Sequence, residues 1–264
     1  MNPQPPGIID DMTHPIIAGA EPWSHVAEGQ HGAVVLHGFT GNPASMRGVA
    51  EALADAGFHV ELPRLPGHGT VVDDMLPTRW ADWAGEAEAA YQRLSRRARH
   101  IVVVGLSVGG ALTLRLGADH PEIAGLVCIN PVTKPQAPEI VEMLRGMASE
   151  GAAVLPGIGS DIADPDAKES AYAGTPIEAL VSLLIDGVAP LSHLYPQMRM
   201  PLLLLSSPQD HVVEPVQSDF LAESYGGPVE RITLERSYHV ATQDYDKDLI
   251  FESTTKFAAQ VTSR

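Results

Sequence analysis

Residues 101–115 constrain this chain more than any other stretch. They read Ile101-Val102-Val103-Val104, then Gly105-Leu106-Ser107-Val108-Gly109, then a segment of helix-forming composition from Gly110 to Arg115. Four consecutive apolar β-branched residues that stop at a glycine predict a buried strand. A G-x-S-x-G pattern between a strand and a helix predicts a strained turn that lifts the Ser107 hydroxyl clear of the sheet. The helix behind it would point unpaired N–H groups and the positive end of its dipole at the same spot. Glycines two before and two after the serine, lacking Cβ atoms, let strand and helix backbones approach. The bland alternative is a glycine-rich turn with an idle serine.

Around this unit strand and helix alternate. Gly32–Leu36 predicts a buried strand leading into the glycine-rich turn His37-Gly38-Phe39-Thr40-Gly41, and a helix opens near Pro43 and ends at Gly57. Phe58–Leu62 predicts a strand and the loop Leu65-Pro66-Gly67-His68-Gly69 follows. A helix then runs from about Thr78 to Arg97 with Trp80, Trp83, Ala87 and Tyr91 on one side. Ile123–Ile129 predicts the next strand. Such alternation with short connections predicts an α/β fold, a mostly parallel central sheet flanked by helices on both faces.

The alternation stops between about Val132 and Met200, where no strand is expected. Glu139–Met147 predicts an amphipathic helix with Ile140, Met143, Leu144 and Met147 on one side. Ala152–Asp166 reads as a loop. A second helix is expected from an N-cap at Thr175 with Pro176 in its first position, continuing through Leu184. Roughly 65 residues would make a marginal independent core, so this segment is expected to be a helical lid over the strand ends. The organisation is then a core of 1–131 and 201–264 with a cap of 132–200. Alternation resumes with the strand Pro201–Ser206, a helix from about Pro215 to Ser224, the strand Glu230–Leu234 and a closing helix from about Asp244 to Val261. Residues 1–30 read as an irregular arm with a short edge strand at Ile16-Ile17.

Bulk properties narrow the partners. The chain has 264 residues and a net charge of −16, which disfavours nucleic acid and anionic membrane surfaces as electrostatic partners. Transient apolar contact with a lipid surface stays open, and no segment is expected to span a bilayer. A single cysteine, Cys128, sits in an apolar run and excludes an internal disulfide framework. The first residues carry no basic start and no apolar core of a secretory signal, so a cytoplasmic location is the default expectation.

A serine hydroxyl needs a base to take its proton, and that base needs an acid to hold its tautomer and stabilise its charged form. On a doubly wound sheet such groups gather at the carboxyl ends of strands. Of eleven histidines, His239 fits best, directly after a strand and before the last helix. Among acids Asp210 fits best, just beyond the Leu202–Leu205 run. Ser, Asp, His is the chain order expected on this fold. His211 is a rival base; Asp161, Asp164 and Asp166 are rival acids only if the lid reading fails. The oxyanion that forms on serine attack needs two donors, for which the N–H groups of Val108 and Phe39 are the candidates. His37 and His68 are expected to buttress their loops rather than react.

Together the loop His37–Gly41, Leu65–Gly69, the Ser107 motif, Asp210 after its strand and Tyr238-His239-Val240 resemble the α/β-hydrolase superfamily. Within it the chain looks like the carboxylesterase and bacterial monoacylglycerol lipase branch. The resemblance covers nearly all of the chain beyond residue 30 and is weakest in the lid. It implies a Ser107–Asp210–His239 triad with the Phe39 and Val108 N–H groups as oxyanion hole, acting on carboxylic esters without metal or organic cofactor. The expected substrate is a carboxylic ester with a small to medium apolar acyl chain, monoacylglycerol foremost. An acyl chain would lie against Ile140, Met143, Leu144, Leu180, Leu183 and Leu184 unless these merely pack the lid. Thioester, amide or carbon–carbon cleavage by the same triad, and a binding protein that has lost turnover, are the alternatives.

Overall fold

The order of elements follows the apolar runs. The computed structural model describes residues 14–157 and 160–263, so the proline-rich start of the N-terminal arm lies outside the described residues. In chain order come β1 (Trp23–His25), β2 (His31–Leu36), α1 (Arg47–Asp55), β3 (His59–Leu62), α2 (Val72–Met75) and α3 (Trp80–Ser95). They are followed by β4 (His100–Leu106), α4 (Val108–Asp119), β5 (Gly125–Ile129) and α5 (Pro138–Ser149). Then come β6 (Val154–Pro156), β7 (Gly174–Pro176), α6 (Ile177–Ser182) and α7 (Ala189–Ser192). The chain closes with β8 (Leu202–Ser206), α8 (Val216–Ser224), β9 (Val229–Thr233) and α9 (Lys247–Thr262).

Seven strands form one sheet in the order β1-β3-β2-β4-β5-β8-β9, every pairing parallel except the antiparallel edge strand β1 on β3. The period of two along each strand divides the interior into two cores. Val34, Leu36, Ile101 and Val103 pack with Trp83 and Leu94 of α3 and Ala111 and Leu112 of α4. Ala33, Val35, Val102 and Val104 pack on the other face with Val49 and Leu53 of α1 and Ile250 and Phe257 of α9. Because both faces are covered, the central strands are apolar throughout, which is why they read as continuous runs and not as alternation. Parallel pairing also aligns the carboxyl ends of β2, β4, β5, β8 and β9 along one edge of the sheet, and the loops that leave them meet there.

Between β5 and β8 the structure departs from expectation. This insertion holds a two-stranded antiparallel hairpin, Val154–Pro156 on Gly174–Pro176, where no strand was expected. Thr175 and Pro176 belong to that hairpin; α6 begins one residue later, with Pro176 at its N-cap and no side-chain cap bond. The helix widens to π geometry over Leu183–Val188 before α7. The stretch Ile177–Gln197 is long and apolar enough, by length and composition alone, to cross a membrane, with mean hydropathy 1.5, contrary to expectation. Its apolarity has a local cause, since 56% of that window is buried inside the protein. At the N-terminus the edge strand forms at Trp23–His25; Ile16 and Ile17 are exposed, and the Ile17 N–H is bonded to the Gly69 carbonyl.

Candidate active site

Ser107 occupies the turn between β4 and α4 at φ 58°, ψ −117°, a left-handed conformation that a serine adopts only when its surroundings impose it. The imposing contacts are visible. A Cβ at Gly105 would lie 2.0 Å from the Gly109 carbonyl oxygen, and one at Gly109 would lie 2.2 Å from that of Leu36. Only glycine lets β4, α4 and the end of β2 converge so closely. The Ser107 backbone is pinned as well: its N–H donates to the Ile129 carbonyl at 2.9 Å, and its carbonyl accepts from Gly110 at 2.9 Å and Val132 at 3.2 Å.

Asp210 and His239 arrive from the loops after β8 and β9. His239 Nδ1 lies 2.7 Å from Asp210 Oδ2, and both residues are buried. The other carboxylate oxygen, Asp210 Oδ1, accepts the N–H groups of Val212 at 2.9 Å and Val213 at 2.7 Å. Such donors fix the carboxylate so that one oxygen faces the imidazole. With Nδ1–H donated to Asp210, Nε2 of a neutral ring is left as an acceptor. Ser107 and His239 line one cavity of about 110 Å³ together with Gly38, Phe39, Thr40, Asp161, Glu169, Tyr172 and Thr175.

The glycine-rich turn after β2 closes the site from a third side. A Cβ at Gly38 would stand 3.3 Å from the Ser107 Cβ and 3.8 Å from its Oγ, so Phe39 follows directly beside the serine. Val108 is the first residue of α4, whose opening N–H groups have no partner within the helix. His37, fully buried, accepts the Leu65 N–H at Nε2 (3.1 Å), and its Nδ1 lies 2.9 Å from the Gly38 carbonyl, so the neutral ring donates there. Burial, then the neighbouring His68, holds its pKa well below the usual histidine value. His68 is depressed to about 4, mainly by burial. The two rings meet edge to face at 5.1 Å and Trp83 packs on both His68 and Phe39, so these histidines form an aromatic footing under the turn.

A second cavity of about 450 Å³ shares Ser107 and Phe39 with the first and is lined also by Val108, Val132, Leu180, Leu183, Leu184, Val212 and Val213 among others. Of the six residues expected at an acyl wall, Leu180, Leu183 and Leu184 line this cavity. Ile140 and Met143 are exposed and line neither cavity. Leu144 is buried away from the serine against Ile177, Val181 and Leu184. The reason is rotational: α5 packs on α6 through Val141, Leu144, Met147 and Ala148, a stripe turned by about one residue from the expected face.

Sequence reasoning missed two residues. Asn130, at positive φ just after β5, accepts the Ser207 N–H at 2.8 Å and donates to the His239 carbonyl at 2.9 Å, tying the two loops together. Its signal was faint, a polar residue at a strand's carboxyl end before Pro131. Glu169, from the insertion, lines the smaller cavity, and burial pushes its pKa up to about 7. A lone acid between Lys168 and Ser170 gave no signal at all. Among the described residues no group of three or more His, Cys, Asp or Glu could hold a metal ion.

Comparison with known proteins identifies the family and the fold. The family model described as "Serine aminopeptidase, S33" matches residues 30–246. The chain is 41% identical over 253 residues to a thermostable monoacylglycerol lipase of Bacillus sp. (strain H-257), covering 94% of this chain and 97% of that protein. It is 26% identical over 232 residues to a carboxylesterase of Bacillus subtilis (strain 168), covering 87% and 92%. Among solved structures, one from a study of two metagenome-derived lipolytic enzymes superposes with a TM-score of 0.87 at 40% identity, covering 93% of this chain and all of that one. The monoacylglycerol lipase of Paleococcus ferrophilus shares the fold, with a TM-score of 0.72 at 18% identity over 91% and 99%. A family model spanning most of the chain and a relative this similar along its full length place the chain in the α/β-hydrolase superfamily, as a member of the serine hydrolase family that the S33 model describes and of its esterase and monoacylglycerol lipase branch.

Proposed function

We propose that this chain hydrolyses carboxylic esters of small to medium apolar acyl chains, monoacylglycerol foremost, with Ser107 as nucleophile, His239 as base and Asp210 as its orienting acid. The observation that carries the reading is the 2.7 Å contact between His239 Nδ1 and Asp210 Oδ2 beside a serine lining the same cavity. His239 Nε2 takes the Ser107 proton as Oγ attacks the ester carbonyl. The N–H groups of Phe39 and Val108 receive the oxyanion. Collapse expels the alcohol, which leaves with the proton from His239. Water then attacks the acyl-enzyme with the same base, the acid departs and Ser107 regains its hydrogen.

The two cavities give each half of a monoacylglycerol a place. The larger one, with Leu180, Leu183 and Leu184, suits the acyl chain. The smaller one, with Thr40, Glu169 and Tyr172, suits a hydroxylated alcohol. With its pKa near 7, Glu169 can either donate to or accept from such a hydroxyl at neutral pH. Residues 132–200 then act as the cap, roofing both cavities. The name borne by the relative at 41% identity supports the same substrate class.

Rates on p-nitrophenyl esters from acetate to laurate, on monolaurin and on matched p-nitroanilides test the reading. A chain-length optimum on esters with negligible amide cleavage is expected. Flat ester rates would remove the acyl cavity from the account, and faster anilide cleavage would make the enzyme an amidase. A fluorophosphonate should label Ser107, and S107A should resist it; wild-type folded protein left unlabelled would point to a binding module.

A further inference from the structure

One carboxylate outside the proposed triad touches both loops that carry it. Asp161 comes from the insertion, and its side chain is only 9% exposed. Its Oδ2 accepts the backbone N–H of His239 and that of His211, each at 3.1 Å. Its Oδ1 lies 2.8 Å from His211 Nδ1, and its backbone carbonyl accepts the Val240 N–H at 3.1 Å. The two backbone donors that share Oδ2 belong to the proposed base and to the residue immediately after the proposed acid.

We propose that Asp161 is a positioning residue: it sets the separation of the Asp210 and His239 loops and thereby the line from Asp210 through the imidazole to Ser107. The inference rests on the triad reading above. Amide bookkeeping supports it. In the turn after Asp210 the N–H groups of Val212 and Val213 are taken by Asp210 itself, whereas that of His211 is left to Asp161. The turn is thus closed on one side by its own acid and on the other by the insertion. Without Asp161, one buried and one part-buried N–H group lose their acceptor, and the loops keep the Asn130 link, which holds Ser207 and the His239 carbonyl but not His211. A displacement of about 1 Å in a reacting group costs on the order of 10²-fold in rate. The insertion would therefore contribute to the rate of chemistry as well as to the shape of the pocket.

The test compares D161N, D161A and D161E on p-nitrophenyl butyrate, with kcat expressed per fluorophosphonate-labelled site so that misfolded protein is not counted. Asparagine keeps an oxygen that can accept both backbone N–H groups, and D161N should stay within about threefold of wild type. Alanine should lower kcat per site by about 10- to 100-fold with KM changed less than about twofold. Glutamate keeps the charge but moves the oxygens by one methylene, and D161E should resemble D161A. Full turnover per site in D161A, or D161N as slow as D161A, would overturn the inference. Where D161A does not fold, the contrast between D161N and D161E decides: equal rates would overturn it. D166N, an exposed acid in the same segment, should behave as wild type, and a D166N loss matching D161A would also overturn it. S107A guards the underlying reading, because turnover surviving there sinks the triad whatever Asp161 does.

Discussion

Asp210 offers its two oxygens to different masters: Oδ2 faces His239 Nδ1 at 2.7 Å, while Oδ1 is held by the Val212 and Val213 N–H groups at 2.9 and 2.7 Å. The carboxylate is thus oriented before substrate arrives, with one oxygen placed where an imidazolium would form. In D210N the amide group either turns its NH2 toward His239 Nδ1, selecting the wrong tautomer, or toward the Val212 and Val213 N–H groups, clashing donor with donor. We expect kcat to fall by about 10⁴-fold with KM little changed, read by single-turnover acylation.

The turn around Ser107 makes a prediction about stability. G109A would drive a methyl group to within 2.2 Å of the Leu36 carbonyl oxygen, and neither backbone can yield without unpicking the sheet. Destabilisation of about 3 kcal/mol or more is expected, read as a lower urea midpoint at unchanged slope. G85A, where a Cβ would meet nothing within 4 Å, lies in the middle of α3 and should be neutral or mildly stabilising by up to about 1 kcal/mol.

Stability should fall in mild acid. His37 and His68 have folded-state pKa values below the ordinary 6.5, His68 at about 4, so between those limits the unfolded chain binds more protons than the native one. Their contribution is whole above pH 6.5 and is lost as pH drops toward 4, at roughly 1.4 kcal/mol per pH unit for each. Glu169 opposes them: its pKa is raised to about 7, so the native state binds its proton more readily and gains stability as pH falls from 7 toward 4.5. The net expectation is a declining urea midpoint from pH 6.5 to 4.5. E169Q should steepen the decline, and a midpoint independent of pH would contradict the buried neutral histidines.

Chain-length selectivity should respond to α6 and the π turn after it, not to α5. L183W, in the larger cavity, should lower kcat/KM for laurate relative to butyrate by about tenfold or more. I140S and M143S, on residues exposed and outside both cavities, should leave that ratio within about twofold on dissolved esters.

Much of this architecture is legible in the residues themselves, and the exceptions share a cause. β2, β4, β5 and β8 announce themselves because a strand buried on both faces must be apolar at every position. The three-residue strands β1, β6 and β7 carry no period, and β7 ends in a proline that reads equally well as the first turn of a helix. In α5 the apolar residues Ile140, Val141, Met143, Leu144, Met147 and Ala148 allow two adjacent stripes, and only contact with α6 selects one. Ser107, Asp210 and His239 were locatable because each follows a strand that must end at one edge. Glu169 and Asp161 owe their place to an irregular segment folded over that edge, which no local pattern encodes.

Val212 and Val213 are at once donors to Asp210 Oδ1 and part of the larger cavity's wall. On the proposed mechanism the same short turn has two duties with opposite tolerances, since selectivity wants it free to change shape and proton transfer wants it immobile. Variation in acyl preference is accordingly expected on the wall of Leu180, Leu183 and Leu184, where leucines can be traded without disturbing the hydrogen bonds that hold Asp210. Library design aimed at new acyl groups should leave this turn alone.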